Sequence, residues 1–215
     1  MSLPMLLLLP FAAVLKLFHL PLVYFASHKP ATMTSASSAK NKIPQEDLRL
    51  YSLALNNRWK KAELYPLITP QLPIFVHCPL VFPWVTAAVL GSRAIEDVEW
   101  MASQMTRATL RNYFRVTIKY MNRPTILHTD KEAAVDGILI GGLTEYAAGQ
   151  IEAYIGLEHH TTEIEEVEVE LANGEKTTVG ANVYVWCGPR SLLEAKHWTP
   201  LYYIRRSLPP PTPTQ

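Results

Sequence analysis

The sequence predicts an α+β protein built as a small mixed β-barrel or curved sheet with packed helices, and three stretches carry that expectation. Glu166-Val167-Glu168-Val169-Glu170-Leu171 alternates strictly between acidic and apolar residues, and Asn173-Gly174 supplies a type I′ hairpin signal before a returning strand over Thr177 to Trp186. Ile74-Phe75-Val76 is a wholly apolar run with the composition of a strand buried on both faces. Val135 to Leu143 reads as a second buried strand, bounded by glycines and followed by a helix. Strands joined mostly by hairpins, with few helices, suit a barrel-like sheet.

Taken in order, Ser2 to Phe25 is nearly all apolar and is long enough to span a bilayer as a helix. Pro4, Pro10 and Pro21 interrupt such a helix, and Lys16 near its middle costs on the order of 3 kcal/mol in a membrane. No Lys or Arg precedes the apolar core, so a signal peptide fits no better. Cytoplasmic placement is therefore expected, with anchoring through residues 2–25 as the alternative. Ala26 to Lys42 is Ser-, Ala- and Lys-rich and reads as a linker. Glu46 and Asp47 then open a helix carrying Leu48, Tyr51 and Leu55 at helical spacing and ending near Lys60-Lys61. The expected organisation is thus an apolar segment over 1–28, linker and helix over 29–72, one domain over 73–208, and a Pro-rich tail over 209–215.

Within that domain the strand at Ile74 runs into His77-Cys78-Pro79-Leu80, then into a helix opened by Pro83 at a first-turn position and closed by Gly91. A loop entering a helix N-terminus converges free backbone N–H groups and suits an anion or carboxylate. Thr106 to Leu110 leads into a half-exposed strand over Tyr113 to Tyr120. Thr144 caps a helix from Glu145 to about Ile155, ended by Gly156. Ser191 to His197 reads as a short helix before Pro209-Pro210-Pro211.

Composition narrows the function. The 215 residues are 48% hydrophobic and 18% charged, with a formal net charge of +1. That balance gives no general attraction to nucleic acid, and no basic cluster with interleaved aromatics compensates, so no nucleic-acid partner is expected. Two cysteines, Cys78 and Cys187, exclude a disulfide scaffold and a CxxC metal site. Glu158-His159-His160 with Glu163 lacks the spacing that puts two imidazoles on one helical face, so no metal and no cofactor is expected.

Several pieces stand in a recognisable order: the aromatic-valine strand and its four-residue loop, Leu80 and Phe82-Pro83, then Ala108-Thr109-Leu110-Arg111-Asn112-Tyr113-Phe114-Arg115. Val135-Asp136-Gly137-Ile138-Leu139, Gly142-Leu143-Thr144 and Ile151-Glu152-Ala153-Tyr154-Ile155-Gly156 follow. The Asn173-Gly174 hairpin, Val183-Tyr184-Val185-Trp186, Leu193-Glu194 and Trp198 complete the series. From Phe75 to about Leu208 this order resembles the γ-glutamylcyclotransferase-like family, in its branch named for the plant avirulence-induced gene. The resemblance implies a compact barrel-like α/β fold that binds a γ-glutamyl or similar amino-acid carboxylate. In active members a glutamate moves protons as the amine attacks the γ-carbonyl and closes to 5-oxoproline.

Both positions that carry this chemistry are altered. His77-Cys78-Pro79-Leu80 stands where the family reads Tyr-Gly-Thr/Ser-Leu; Cys78 adds a Cβ in place of glycine, and Pro79 has no N–H. Ile155 stands where the Leu-Asp-x-Phe-Glu-Gly pattern has its glutamate, and His159 and Thr161 fall near the family's following Tyr and Arg. Isoleucine moves no proton, and acid-base catalysis is typically worth about 10²- to 10⁴-fold. Candidates for proton transfer are His77, if its pKa lies near neutrality, and Glu152 and Glu158 as replacement carboxylates. Cys78, Pro79, Leu80, Ile155 and His159 are the candidate binding wall, and Arg115 and Arg123 candidate partners for a substrate carboxylate.

The expected partner is a small molecule. The resemblance suggests a divergent protein that performs a cyclisation, isomerisation or acyl-transfer step, of acyltransferase or cyclase type, in a fungal-type secondary-metabolite pathway. A non-catalytic binding or regulatory protein on the same fold is the alternative, separated from the first by whether polar side chains or Ile155, Tyr154 and Trp84 surround His77. An intact cyclotransferase is disfavoured by Ile155.

Overall fold

The computed structural model describes residues 45–207 apart from 93, 122 and 197. The apolar segment over 1–28, the linker to residue 42 and the Pro-rich tail over 209–215 lie outside the described residues. Helix α1 spans Gln45–Asn56 with Glu46 and Asp47 in its first turn and Leu50 and Ala54 buried. It stops short of Lys60-Lys61 because the next residues cap it and leave. The Arg58 guanidinium donates to the carbonyls of Leu55 and Asn57, the Asn57 amide donates to those of Ser103 and Met105, and Trp59 is buried to 2% exposure. A 3₁₀ turn at Lys61–Glu63 and helix α2, Leu64–Ile68, follow.

Five strands close into a barrel: β1 (Ile74–Val76), β2 (Met105–Arg111), β5 (Ala134–Ile140), β6 (His160–Glu170) and β7 (Lys176–Trp186), in the order β1-β5-β2-β6-β7. Parallel pairing of β1 with β7 closes it, and every other pairing is antiparallel. The α+β class and the small mixed barrel are therefore those the sequence predicts. A second sheet takes β3 (Tyr113–Ile118), β4 (Arg123–His128) and β8 (Leu193–Glu194) in the order β4-β3-β8. Helices α3 (Pro83–Val89), α4 (Ile95–Gln104), α5 (Glu145–Ile155) and α6 (Pro200–Ser207) complete the described chain.

The strands alternate between two cores. Phe75 and Leu139 point into the barrel with Leu110, Val167 and Val183, whereas Ile74, Val76, Ile138 and Ile140 face the helices with Leu50, Phe82, Met101 and Ile151. This is why β1 and the end of β5, from Ile138 to Ile140, are apolar at every position: each face has its own core to fill.

Three sequence expectations change. The run from Thr106 to Tyr120 is two strands in two sheets, turned at Asn112, whose φ of 62° is the left-handed region that Asn tolerates. The hairpin loop is five residues, Leu171 to Glu175, and only Gly174 is left-handed, so the turn is not type I′. The short helix over Ser191 to His197 is a 3₁₀ turn at Arg190–Leu192 followed by β8. The open edge of β3 captures the segment: the Lys119 N–H donates to the Leu192 carbonyl, its ammonium to the Ser191 carbonyl, and Thr117 and Ile118 pair with Glu194 and Leu193. Too few residues are present there for a helix to outweigh this. Among the described residues no helix is long and apolar enough to cross a membrane.

Candidate functional site

Residues 73–83, from the start of β1 into α3, are buried without a break, so the loop after β1 lies inside the protein rather than at an open mouth. Its backbone is used internally: the Val81 N–H donates to the Cys78 carbonyl, the Phe82 N–H to the Pro79 carbonyl, and the Thr86 hydroxyl to the Leu80 carbonyl. Two N–H groups of the expected cradle, those of Val81 and Phe82, are therefore taken up by a 3₁₀ turn over Pro79–Val81.

His77 and Cys78 open onto an inner cavity of about 30 Å³. Val76, Ile118, Pro124 and Ile155 are its apolar wall, and Arg123, His160 and Tyr184 its polar one. That is room for about one or two water molecules. Burial, reinforced by the charges of Arg115 and His160, pushes the His77 imidazole down to about 3, and its Nδ1 has no hydrogen-bond partner. Burial likewise pushes the Cys78 thiol up. A neutral imidazole beside a neutral thiol is no nucleophile-base pair at ordinary pH. The expected near-neutral titration of His77 thus gives way to its desolvation.

Ile118, Arg123, Ile155 and His160 also line a larger outer cavity of about 360 Å³, so these four separate the two spaces. Glu158, His159, Tyr154, Trp186 and Lys119 complete much of the outer wall. Arg123 donates to the Tyr154 carbonyl at 2.9 Å and lies 4.7 Å over the Tyr154 ring, which fixes its guanidinium at the boundary. His160 is held at both nitrogens. Its Nδ1 meets the Gly156 carbonyl at 2.9 Å, and a carbonyl only accepts, so Nδ1 carries the proton and Nε2 accepts from the Thr125 hydroxyl at 3.1 Å. Burial lowers its pKa, helped by the neighbouring charge of Arg123.

Neither replacement carboxylate lines the inner cavity with His77. Glu152, on α5, accepts a hydrogen bond from the Tyr184 hydroxyl at 3.1 Å, and burial followed by the Glu152 charge pushes that phenol's pKa up. Glu158 is exposed and belongs to the outer cavity, as does His159, whose ring lies 5.2 Å from that of Trp186. Pro79 and Leu80 are buried but line neither cavity. Trp84 packs in the helical core. Glu163 receives the Tyr113 hydroxyl, and among the described residues no three His, Cys, Asp or Glu side chains gather as metal ligands.

No protein-family model and no curated protein matches the chain. Among solved structures it is similar to the Arabidopsis thaliana protein At3g28950.1, at 23% identity over 61% of this chain and 71% of that one, with a TM-score of 0.44. The Arabidopsis thaliana protein At5g39720.1 is similar at 20% identity over 62% of this chain and 80% of that one, again with a TM-score of 0.44. YkqA from Bacillus subtilis is similar at 18% identity over 53% of this chain, which spans 40% of that protein, with a TM-score of 0.36.

Ile155 and the β1 loop, distant in sequence, share one cavity, and Arg123 joins them from β4. Sequence reasoning missed Tyr184, Lys119 and Trp186 as wall residues. Tyr184 and Trp186 lie on the face of β7 that carries Thr178, Gly180 and Asn182, and the change of that face to aromatic residues at the strand's end was the available signal. Lys119 reaches the site only because β3 and β4 form a hairpin beside it, which no local pattern announces.

Proposed function

We propose that this chain is a divergent γ-glutamylcyclotransferase-like protein that has lost the cyclotransferase step and binds a small carboxylate-bearing molecule in the outer cavity. Ile155 carries this reading: an aliphatic wall between the inner and outer cavities stands where the resemblance implies a proton-relaying glutamate. No group of the inner cavity takes over that role. His77 stays neutral, both nitrogens of His160 are engaged, and the Tyr184 hydroxyl is committed to Glu152. The inner cavity is also too small for a γ-glutamyl amine. Arg123 makes no ion pair among the described residues, and its fixed fork at the boundary suits a carboxylate arriving from the outer side.

A second reading rests on Glu158 and His159 sharing the outer wall. With a bound intermediate, these groups support a proton-transfer step, such as an isomerisation or cyclisation in a secondary-metabolite pathway.

The test is to incubate the full chain with γ-glutamyl amines, quantify 5-oxoproline, and measure binding of the same compounds and of glutarate by calorimetry. Binding without product is expected, with affinity reduced about tenfold in Arg123→Gln, equivalent to about 1.4 kcal/mol. Formation of 5-oxoproline by the native chain refutes the proposal, as does binding that Arg123→Gln leaves unchanged. Turnover of a pathway intermediate that is lost on Glu158→Gln would establish the second reading.

A further inference from the structure

A third cavity, of about 280 Å³, shares no lining residue with the inner or outer cavity. Tyr51 and Leu55 of α1, Val81, and Ile138 of β5 form its apolar side, and Trp198 closes it from the C-terminal segment. Two guanidiniums enter its wall, Arg107 from β2 and Arg115 from β3. Neither makes an ion pair among the described residues. Arg115 is half-buried; one terminal nitrogen donates to the Asp136 backbone carbonyl at 2.6 Å, and its Cζ lies 5.6 Å from the Trp198 ring centroid. Its Nε is buried without an acceptor, as is the Trp198 indole nitrogen. Asp136, the acidic residue of the wall, has its carboxylate oxygen engaged by the Thr109 hydroxyl.

Two cations against one carboxylate leave this wall net positive, and a desolvated guanidinium with an unsatisfied N–H is costly unless an anion meets it. The apolar side gives such an anion a body to bury, and the cavity's size is near the lower end for small-molecule sites. We infer that the cavity between α1, β2, β3 and Trp198 is a binding site for a small organic carboxylate with an apolar body, held by Arg115 and Arg107. The site is separate from the one that Arg123 serves, so it stands or falls independently of the function proposed above. Arg115 supplies the inner, directional contact, and the exposed Arg107 supplies charge at the mouth.

Indole ¹⁵N–¹H spectra of the full chain, titrated with sodium benzoate, test this. Trp198→Phe identifies the Trp198 resonance. Benzoate is expected to shift that resonance saturably, whereas neutral benzamide does not, and raising the salt concentration weakens the effect. Arg107→Gln, an exposed change that leaves the core intact, is expected to weaken benzoate about tenfold, and Arg115→Met to abolish the shift. The inference is overturned if benzoate leaves the Trp198 resonance in place, if benzamide shifts it equally, or if Arg107→Gln binds benzoate as tightly as the native chain. Inorganic phosphate binding as tightly as benzoate overturns the assignment to a carboxylate with an apolar body.

Discussion

Gly137 lies where β5 crosses β1, and replacing it by alanine tests the barrel at the point that positions the candidate site. A Cβ built there falls 2.5 Å from the Val76 carbonyl oxygen and 2.6 Å from Cζ of Phe75, against 3.4–4 Å for ordinary contact. Strand β1 would have to retreat by about 0.9 Å, the difference between 3.4 and 2.5 Å. It is only three residues long and is paired on both edges, with β5 and with β7, so it moves only by breaking one ladder. Overpacking of this kind costs about 1–3 kcal/mol, while alanine's smaller unfolded-state entropy returns about 0.4–1 kcal/mol. A net loss of about 1.3 kcal/mol should lower Tm by about 3–5 °C for a protein of this size. Gly149 is the control: it lies inside α5 with nothing within 4 Å of a built Cβ. Gly149→Ala should stabilise by up to about 1 kcal/mol on helix propensity alone. Calorimetric melting of the two variants beside the native chain decides the matter. A Gly137→Ala variant that melts within a degree of native, or above it, refutes the packing of β1 on β5 described here.

Burial of His77 sets a pH dependence. Its folded pKa lies below the unfolded one, so the unfolded chain binds the extra proton; stability is full above about pH 6.5 and is lost as the pH falls toward 3. By pH 5 the loss from this one group is about 2 kcal/mol, at about 1.4 kcal/mol per unit. In urea titrations at pH 7, 6 and 5, the stability of the native chain relative to His77→Leu should therefore fall by that amount, and parallel curves would contradict the burial. The cysteines should separate by rate: exposed Cys187 is expected to react with a thiol reagent at once, while buried Cys78, its thiol neutral, reacts only on unfolding. Two fast thiols in the native chain would show that the β1 loop is open.

Helix α5 was legible in the sequence because its signals are local. The Thr144 hydroxyl accepts from the Ala147 N–H, and Gly156, with φ 82°, ends the helix at the next residue after Ile155. The β6–β7 hairpin was legible for the same reason, through alternation along each strand. Helix α4 carried a comparable signal that went unread: Glu96 and Asp97 occupy its first turn, and Val98, Met101 and Ala102 are buried at helical spacing. The split between β2 and β3 has a local sign, the consecutive exposed polar residues Arg111 and Asn112 where the alternation changes phase, but only tertiary pairing assigns the two halves to different sheets. Strand β8 is two residues long, too short to leave a pattern.

The candidate site divides along the same line. His77 reads from sequence as a proton-transfer candidate if its pKa lies near neutrality, and that condition is not met because the chain does not surface after β1. Leu80 and Phe82 are fully buried, and Phe82 stacks on Trp84 and lies against Tyr51 of α1, so the loop is roofed by residues that precede and follow it. Enclosure, rather than any change at His77 itself, is what moves the imidazole out of the range where a general base is useful. The groups that remain in contact with open volume, Arg123, His159 and Lys119, surround the outer cavity. A pocket whose charged groups stand outside and whose inner end is closed by Ile155 is suited to holding an anion by its carboxylate.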